Sequence, residues 1–433
     1  MIKNNKILFL ILLVSFSVSL FYSFHFKIKP LVDARAYDVI ATNIANGNGY
    51  RESLNTDIQH DGAIVRAGPL YEYFLAGIYK IFGHHYEAVW VIQAFLHALT
   101  TLLVYLTAVL IFSERENKKK VALWAAGIVG FYPDLIEISA MLMTETLYLF
   151  FVCLMFYIFF RYFSRQNDWL AIGLGFISGL AVLARPPALF LLPVVAFYFF
   201  KKKKIFQLIL FCIALFLIFA PWTIRNYRIY GTIMPFGAAG NLNFWIGNYH
   251  GGNGEQEANQ EQINFISTHG LKEVNAESMR QFKNFLYDYP GEFIKLTLLR
   301  INKYFSIIRP MGFWFYQTGW GQFLFIISSA FASVFLFVLG LGGFVMAFKS
   351  KNEALYYLLA FTVFTPLIIF ITVVETRYRF QIYPLLAILA GYFMASFRID
   401  KIFWYSFSII FANGMIDLLS NIDKFKERLG RFL

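Results

Sequence analysis

Residues 7–26 read ILFLILLVSFSVSLFYSFHF, twenty positions without an Asp, Glu, Lys or Arg. A bilayer-crossing helix needs about 20 predominantly apolar residues, so this run predicts a membrane span. Lys3 and Lys6 precede it, as they would in a secretory leader. The run 7–24 is long for a leader's apolar core, however. Ser17-Val18-Ser19 falls inside it and Ala34-Arg35-Ala36 lies well past it, so neither small-residue triplet is placed for cleavage. An uncleaved anchor is expected.

The rest of the chain has the same character. Of 433 residues, 58% are hydrophobic, 20% aromatic and only 15% charged, and the mean hydropathy is +0.57. Ordinary soluble domains carry about 25% charged residues. A water-soluble fold of this size has too little surface to hide so much apolar side chain. A cytosolic enzyme, a secreted disulfide scaffold and a disordered chain are excluded. The two cysteines, Cys153 and Cys212, lie in apolar runs and offer neither a disulfide framework nor a CxxC metal site.

The expected fold is all-α and polytopic, with about 10–11 transmembrane helices. Spans are predicted near 7–26, 87–112, 121–133, 140–161, 169–184, 188–200, 205–221, 322–348, 355–373 and 380–397, with a further segment at 402–420. The net charge of +12 does not read as a nucleic-acid surface, because the Lys and Arg residues sit in short runs between apolar segments. Connections 113–120, 161–168, 201–204, 349–352 and 398–401 alternate along the series and carry that bias. The positive-inside rule places them, with the N-terminus, in the cytoplasm. Residues 27–86, 134–139, the Arg185 turn, 222–320 and 375–379 then face the periplasm or exterior. Residues 222–320 read as an outer subdomain, Gly-rich at first and helical from about 255 to 303 with a break at 289–291. Phe293, Leu296, Leu299 and Ile301, among Lys295, Arg300 and Lys303, suggest a basic amphipathic helix in the headgroup layer. Residues 321–433 hold the last membrane helices and a basic tail.

Ionisable groups near membrane depth are expensive and are functional candidates by default. Asp33 follows the first span closely, on a helix face shared with Tyr37, Ile40 and Ile44. Its carboxylate suits a general base or a cation ligand, and equally an N-cap for helix 34–45. Glu145 lies about one turn into a span, beside Thr144 and after Tyr132-Pro133-Asp134, where it is either part of a site or a carboxylate snorkelling to water. Four arginines stand at outer span ends, against the positive-inside rule: Arg185 before two prolines, Arg225 in PWTIRNY, and Arg377 and Arg379 in ETRYR. Guanidinium forks match phosphate, so together they point to an anion site. Each alone would be explained by headgroup contact, or by pairing such as Glu375 with Arg379. There is no P-loop, GxGxxG, HExxH or GxSxG signature, and the seven histidines are scattered.

Taken in order, these segments resemble the GT-C superfamily of membrane glycosyltransferases. They look most like bacterial glycosyltransferase family 39, related to protein O-mannosyltransferases and the lipid A aminoarabinose transferase. The pieces are Asp33-x-x-x-Tyr37, Gly47-x-Gly49-Tyr50, Arg66-Ala-Gly-Pro69-Leu-Tyr71, Phe82-Gly83, Tyr132-Pro133, Thr144-Glu145, Gly179-Leu-Ala-x-Leu-x-Arg185-Pro186, Pro221-Trp-Thr-Ile-Arg225-Asn226, Gly247-Asn248 and Glu375-Thr-Arg377-Tyr378-Arg379. The resemblance implies a GT-C-like fold with outer juxtamembrane helices and a catalytic module in 1–221 that includes loop 27–86. It makes Asp33 the base and Glu145 the second acidic position. It places Arg225, Arg377, Arg185 and Arg379 near the lipid phosphate, and Tyr37, Tyr50, Arg66 and Tyr71 in the substrate loop. It implies a polyprenyl-phosphate sugar donor, a glycan, lipid or protein acceptor, and transfer with inversion at the outer face of the cell membrane. No cofactor follows from it; a divalent metal is compatible, since metal dependence varies across the superfamily. Glu145 stands where some relatives have Asp, and Gly68 where many have Pro. A transporter or flippase for an anionic lipid or sugar is the competing reading, though such folds tend to place polar groups near the midplane.

Overall fold

The computed structural model describes residues 6–66, 68–237, 239–309, 320–396, 399–423 and 426. Lipid offers backbone groups no hydrogen bonds, so a chain this apolar must satisfy them within helices. Accordingly the described residues form helices, with only one isolated bridge, Glu255 to Val374. The N-terminal half runs α1 (Lys6–Phe26), α2 (Asp33–Ala45), α3 (Pro69–Phe82), α4 (Tyr86–Ile111), α5 (Lys118–Gly130), α6 (Pro133–Ala140), α7 (Thr144–Ser164), α8 (Asp168–Ala184), α9 (Leu192–Lys201) and α10 (Ile205–Tyr230). Four helices follow outside the apolar bundle: α11 (Ala239–Gly247), α12 (Gln260–Thr268), α13 (Leu271–Asp288) and α14 (Pro290–Tyr304). The chain ends with α15 (Trp320–Phe348), α16 (Glu353–Phe364), α17 (Leu367–Ile371), α18 (Tyr383–Ala395) and α19 (Lys401–Ser420).

Among the described residues, seven helical stretches are long and apolar enough to cross a membrane: α1, α4, α7, α10, α15, the α16–α17 pair and α19. The pair α5–α6, bent by 50°, makes an eighth if counted as one broken span. The protein is therefore a multi-pass membrane protein. The segment at 402–420 is one of the long apolar helices. The expected spans at 121–133, 169–184, 188–200 and 380–397 are shorter helices. Proline accounts for much of the difference, since it lacks an N–H and pushes the preceding residue into extended backbone. Tyr132 before Pro133 and Arg185 before Pro186 are both extended. Helix α10 instead runs through Pro221 and closes on Gly231, whose φ of 65° is left-handed. Arg225 therefore rides on that helix rather than in a loop.

Small residues let the membrane helices approach closely. At Gly343 of α15 a Cβ would lie 2.0 Å from the Leu389 carbonyl of α18, so only glycine fits that crossing. At one end of the bundle Lys202 pairs with Glu353 at 2.8 Å and Gln207 donates to Asp168 at 2.9 Å. Lys120 there shares a cavity with Ser396 and Asp400. The basic connections are thus gathered on one side. Arg398 and the basic tail beyond 426 lie outside the described residues.

Helix α14 departs from the sequence reading. Arg300 and Lys303 are buried, while Ile294 and Leu298 are exposed. Arg300 Nη1 donates to the Phe370 carbonyl at 2.9 Å and Nη2 to Asn248 at 2.7 Å and to the Gly247 carbonyl. Lys303 pairs with Glu255, Glu255 with Arg309, and Arg309 with Asp417 of α19, at 2.7, 2.9 and 2.6 Å. Arg300 and Lys303 thus anchor α14 through buried contacts, while Lys295 stays exposed. A helical-wheel reading misses this because the partners, at 247–255 and 417, are distant in sequence.

Candidate active site

At the end of the bundle opposite the basic connections, five distant segments bring their charges together. Asp33 opens α2. The residue before it, Val32, has φ 50°, a left-handed conformation that a β-branched residue rarely adopts. No side chain caps the helix there, so the N-cap reading of Asp33 does not describe it. Its carboxylate instead accepts from Arg377 Nη2 at 2.9 Å and lies 3.5 Å from Arg66 Nη1. Arg66 spends the rest of its fork on Glu52, at 2.8 and 2.9 Å. Gly68 presses on α8: a Cβ there would lie 2.2 Å from the Leu183 carbonyl. Proline at this position would meet the same obstacle.

Arg377 is the hub. It is buried, and its Nε donates to Glu375 at 2.9 Å and lies 3.9 Å from Glu145. Burial works against its charge, but Glu375, Tyr378, Glu145 and Asp33 together hold its pKa well above the ordinary value. Glu145, buried at the start of α7, pairs directly with Arg185 and accepts from Thr144 at 3.2 Å. Arg185 is swung off α8 by the two prolines and lies over the ring of Tyr378 at 5.2 Å. Glu52, Asp33, Glu375 and Glu145 thus face Arg66, Arg377 and Arg185, leaving one negative charge in excess. The space between Glu145, Arg185, Arg377 and Tyr378 is about 10 Å³, room for about one water.

The remaining candidates lie around this cluster. Tyr37 is buried beneath Asp33, edge-on to Tyr71 at 5.6 Å. The Tyr71 hydroxyl donates to Gln93 at 2.9 Å, and Gln93 is fixed by the carbonyls of Ser139 and Met141. These two tyrosines form a floor rather than a surface a sugar can touch. Arg225 sits apart from Arg377. It lies over Tyr50, Trp222 and Tyr230 at 5.4, 4.9 and 5.8 Å and donates to the Tyr50 carbonyl at 3.0 Å. The Tyr50 hydroxyl in turn donates to Glu72 at 3.1 Å. Burial pushes the Glu72 carboxyl up to about 8, so it is mostly protonated at neutral pH.

Arg379 corrects the four-arginine expectation. Its guanidinium is buried and donates to the carbonyls of Ser306 and Arg309 at 2.8 and 2.7 Å. Residues 376–382 form a 3-10 helix, in which three residues make a turn, so side chains two apart point in different directions. Glu375, in extended backbone just ahead of that helix, pairs with Arg377 and not with Arg379. Arg379→Met is expected to cost about 2–3 kcal/mol of stability by stranding two carbonyls and to leave donor affinity unchanged. Thermal unfolding beside a donor-binding titration checks both.

Sequence reading missed Glu52, Glu72 and Gln256, whose side chain accepts from Tyr378 at 2.6 Å. Glu72 is one residue past the singled-out Tyr71, and a lone acid in the apolar run of α3 was the available signal. Glu52 and Gln256 lie in irregular loops with no periodicity to mark them. Among the described residues no group of three or more His, Cys, Asp or Glu is placed to hold a metal ion. Asp33, Glu145 and Glu375 all turn toward Arg377.

A family model described as dolichyl-phosphate-mannose-protein mannosyltransferase matches residues 66–224. The fold is similar to that of ArnT from Cupriavidus metallidurans, solved bound to undecaprenyl phosphate, with a TM-score of 0.54 and 13% identity over 93% of this chain and 61% of that one. It is also similar to the oligosaccharyltransferase AglB from Archaeoglobus fulgidus, solved with an inhibitory peptide and a dolichol-phosphate, with a TM-score of 0.53 and 14% identity over 96% of this chain and 55% of that one. An uncharacterized protein of Aquifex aeolicus is 25% identical over 232 residues, 51% of this chain and 44% of its own length. The chain thus spans roughly half the length of these relatives. The resemblance to GT-C glycosyltransferases read from the sequence is borne out, and the fold is the all-helical, polytopic GT-C type.

Proposed function

We propose that this chain is an inverting membrane glycosyltransferase that moves a sugar from a polyprenyl-phosphate carrier to an acceptor hydroxyl, on the membrane face away from the basic connections. The mannosyltransferase family model and the GT-C neighbours support a transferase using lipid-linked donors. The observation that carries the finer reading is the 2.9 Å pair of Asp33 with Arg377, joined through Glu145 to Arg185. A base and phosphate-binding guanidiniums stand within one side chain of each other. The donor phosphate displaces carboxylate partners from Arg377 and Arg185, which then stabilise the charge that develops on the leaving phosphate. Asp33, released from Arg377, takes the acceptor proton as the hydroxyl attacks the anomeric carbon from the opposite side. The single displacement inverts the anomer. No step requires a nucleotide sugar.

The test is release of label from a polyprenyl-phosphate sugar in proteoliposomes, wild type beside Asp33→Asn, with an envelope extract supplying acceptors. Turnover lost in the variant supports the transferase. Passage of the intact labelled lipid across the bilayer by both proteins would instead favour a flippase. The sidedness has its own check. In a background lacking Cys153 and Cys212, an impermeant maleimide should label Asn253→Cys from outside and Lys203→Cys only from inside. The reverse pattern would overturn the orientation.

A further inference from the structure

Between α1, α5 and α15 lies an apolar groove of about 680 Å³, walled by Ile7, Ile11, Trp124, Ile128, Phe331 and Phe335. That volume suits a whole small ligand, since binding pockets commonly measure about 300–1,000 Å³. Lys120 stands at one end and Phe131 at the other. The intervening stretch of α5 spans roughly 16 Å at the helical rise, about half of the hydrocarbon core of a bilayer. The groove is one leaflet deep. Gly127 lies midway along it, and a Cβ there would meet nothing within 4 Å.

The Lys120 end is polar. Lys120 also lines a second cavity of about 500 Å³ with Ser396 and Asp400. It follows Lys118 and Lys119 in the basic connection 113–120. Lys118 spends its ammonium on the Ser113 carbonyl at 2.8 Å, while no described residue hydrogen-bonds or ion-pairs with Lys120. Asp400 accepts from the N–H groups of Ile402 and Phe403 at 3.0 and 3.1 Å, so it caps α19 rather than pairing with Lys120. A basic pocket between membrane helices at headgroup level is a setting for an anionic lipid head.

We infer that this groove holds one anionic phospholipid from the leaflet on the Lys120 side. Its phosphate sits at Lys120, and one acyl chain follows α5 past Gly127 to Phe131. The lipid fills the space between α1 and α15, and α1 is the helix that leads to Asp33. A zwitterionic phospholipid offers the same phosphate but carries a cation beside it, so the lysine favours the headgroup with a net negative charge.

The experiment takes the full chain from vesicles of equal phosphatidylglycerol and phosphatidylcholine and counts the retained lipid by native mass spectrometry. Wild type is expected to keep one phosphatidylglycerol in preference to phosphatidylcholine. Lys120→Gln, at an exposed position, should lower phosphatidylglycerol retention roughly fivefold, as expected for one lysine beside an anionic surface, without changing phosphatidylcholine. Gly127→Trp should remove both by filling the groove. Gly127→Leu, a milder filler and a better helix former than glycine, serves if the tryptophan variant does not fold. Equal retention of the two lipids, no retained lipid, or retention unaltered by the Gly127 variants overturns the proposal. So does loss of both lipids together in Lys120→Gln.

Discussion

Asp33→Asn should lower turnover by about 10²-fold or more, the range of a positioned general base, while the apparent affinity for donor holds or tightens. Asparagine keeps the shape of aspartate and can still accept from Arg377 through its amide oxygen. What it loses is basicity and one negative charge. The cluster carries one such charge in excess, so removing it eases the approach of a phosphate. A fall in kcat with KM unchanged or lower separates this from simple damage to the site, which would raise KM. Asp38 supplies the control on the same helix. Its carboxylate accepts from Tyr79 at 2.6 Å and Tyr86 at 2.8 Å and contacts His84 at 2.9 Å, on partners separate from Arg377. Asp38→Asn should leave turnover within a fewfold of wild type. Equal losses from both substitutions would refute the assignment of Asp33 as base.

Arg377→Ala should do more than remove a phosphate ligand. Arg377 is 6% exposed and bonded to Asp33 and Glu375, with Glu145 close by. Truncation leaves buried carboxylates without their counter-charge, and breaking such a partnership costs about 3–5 kcal/mol. Both donor binding and thermal stability are expected to fall. Arg377→Lys divides the two effects: it keeps the charge and loses the planar fork that grips two partners. Stability should largely return in the lysine variant while donor affinity stays low. Full recovery of affinity would show that charge alone suffices and would sink the bidentate assignment. Arg225→Ala, which the sequence resemblance groups with Arg377, should instead loosen Tyr50 and Trp222 by about 1–2 kcal/mol of cation–π contact.

The membrane character was legible in the sequence because hydropathy and loop charge report directly on the solvent each segment meets. Asp33, Glu145, Arg185 and Arg377 were legible for a related reason: a charge at a span end stands out against an apolar background. The partners they chose were not. Arg377 and Arg379 are two residues apart in one motif, and only the 3-10 winding of 376–382 sends one to Asp33 and the other to the Ser306 carbonyl. Nor did the sequence show that α10 passes through Pro221 and carries Arg225 against Tyr50. The prolines at 133 and 186 show how far hydropathy goes. It located the apolar segments but not the bends that shorten them, because a break of one residue hardly alters a window average.

The ion pairs running from Lys303 through Glu255 and Arg309 to Asp417 bear on how the protein can be engineered. Exchanging residues 231–309 for the matching region of a relative is an obvious chimera to build on this scaffold. The graft would carry Glu255, Lys303 and Arg309 away and leave Asp417 behind, 0% exposed in α19. It would also cut the bridge from Glu255 to Val374, just before the hub segment. A chimera that ignores Asp417 fails in the last helix, far from the seam where a designer would look. One that transplants a matched residue at 417 keeps the joint closed.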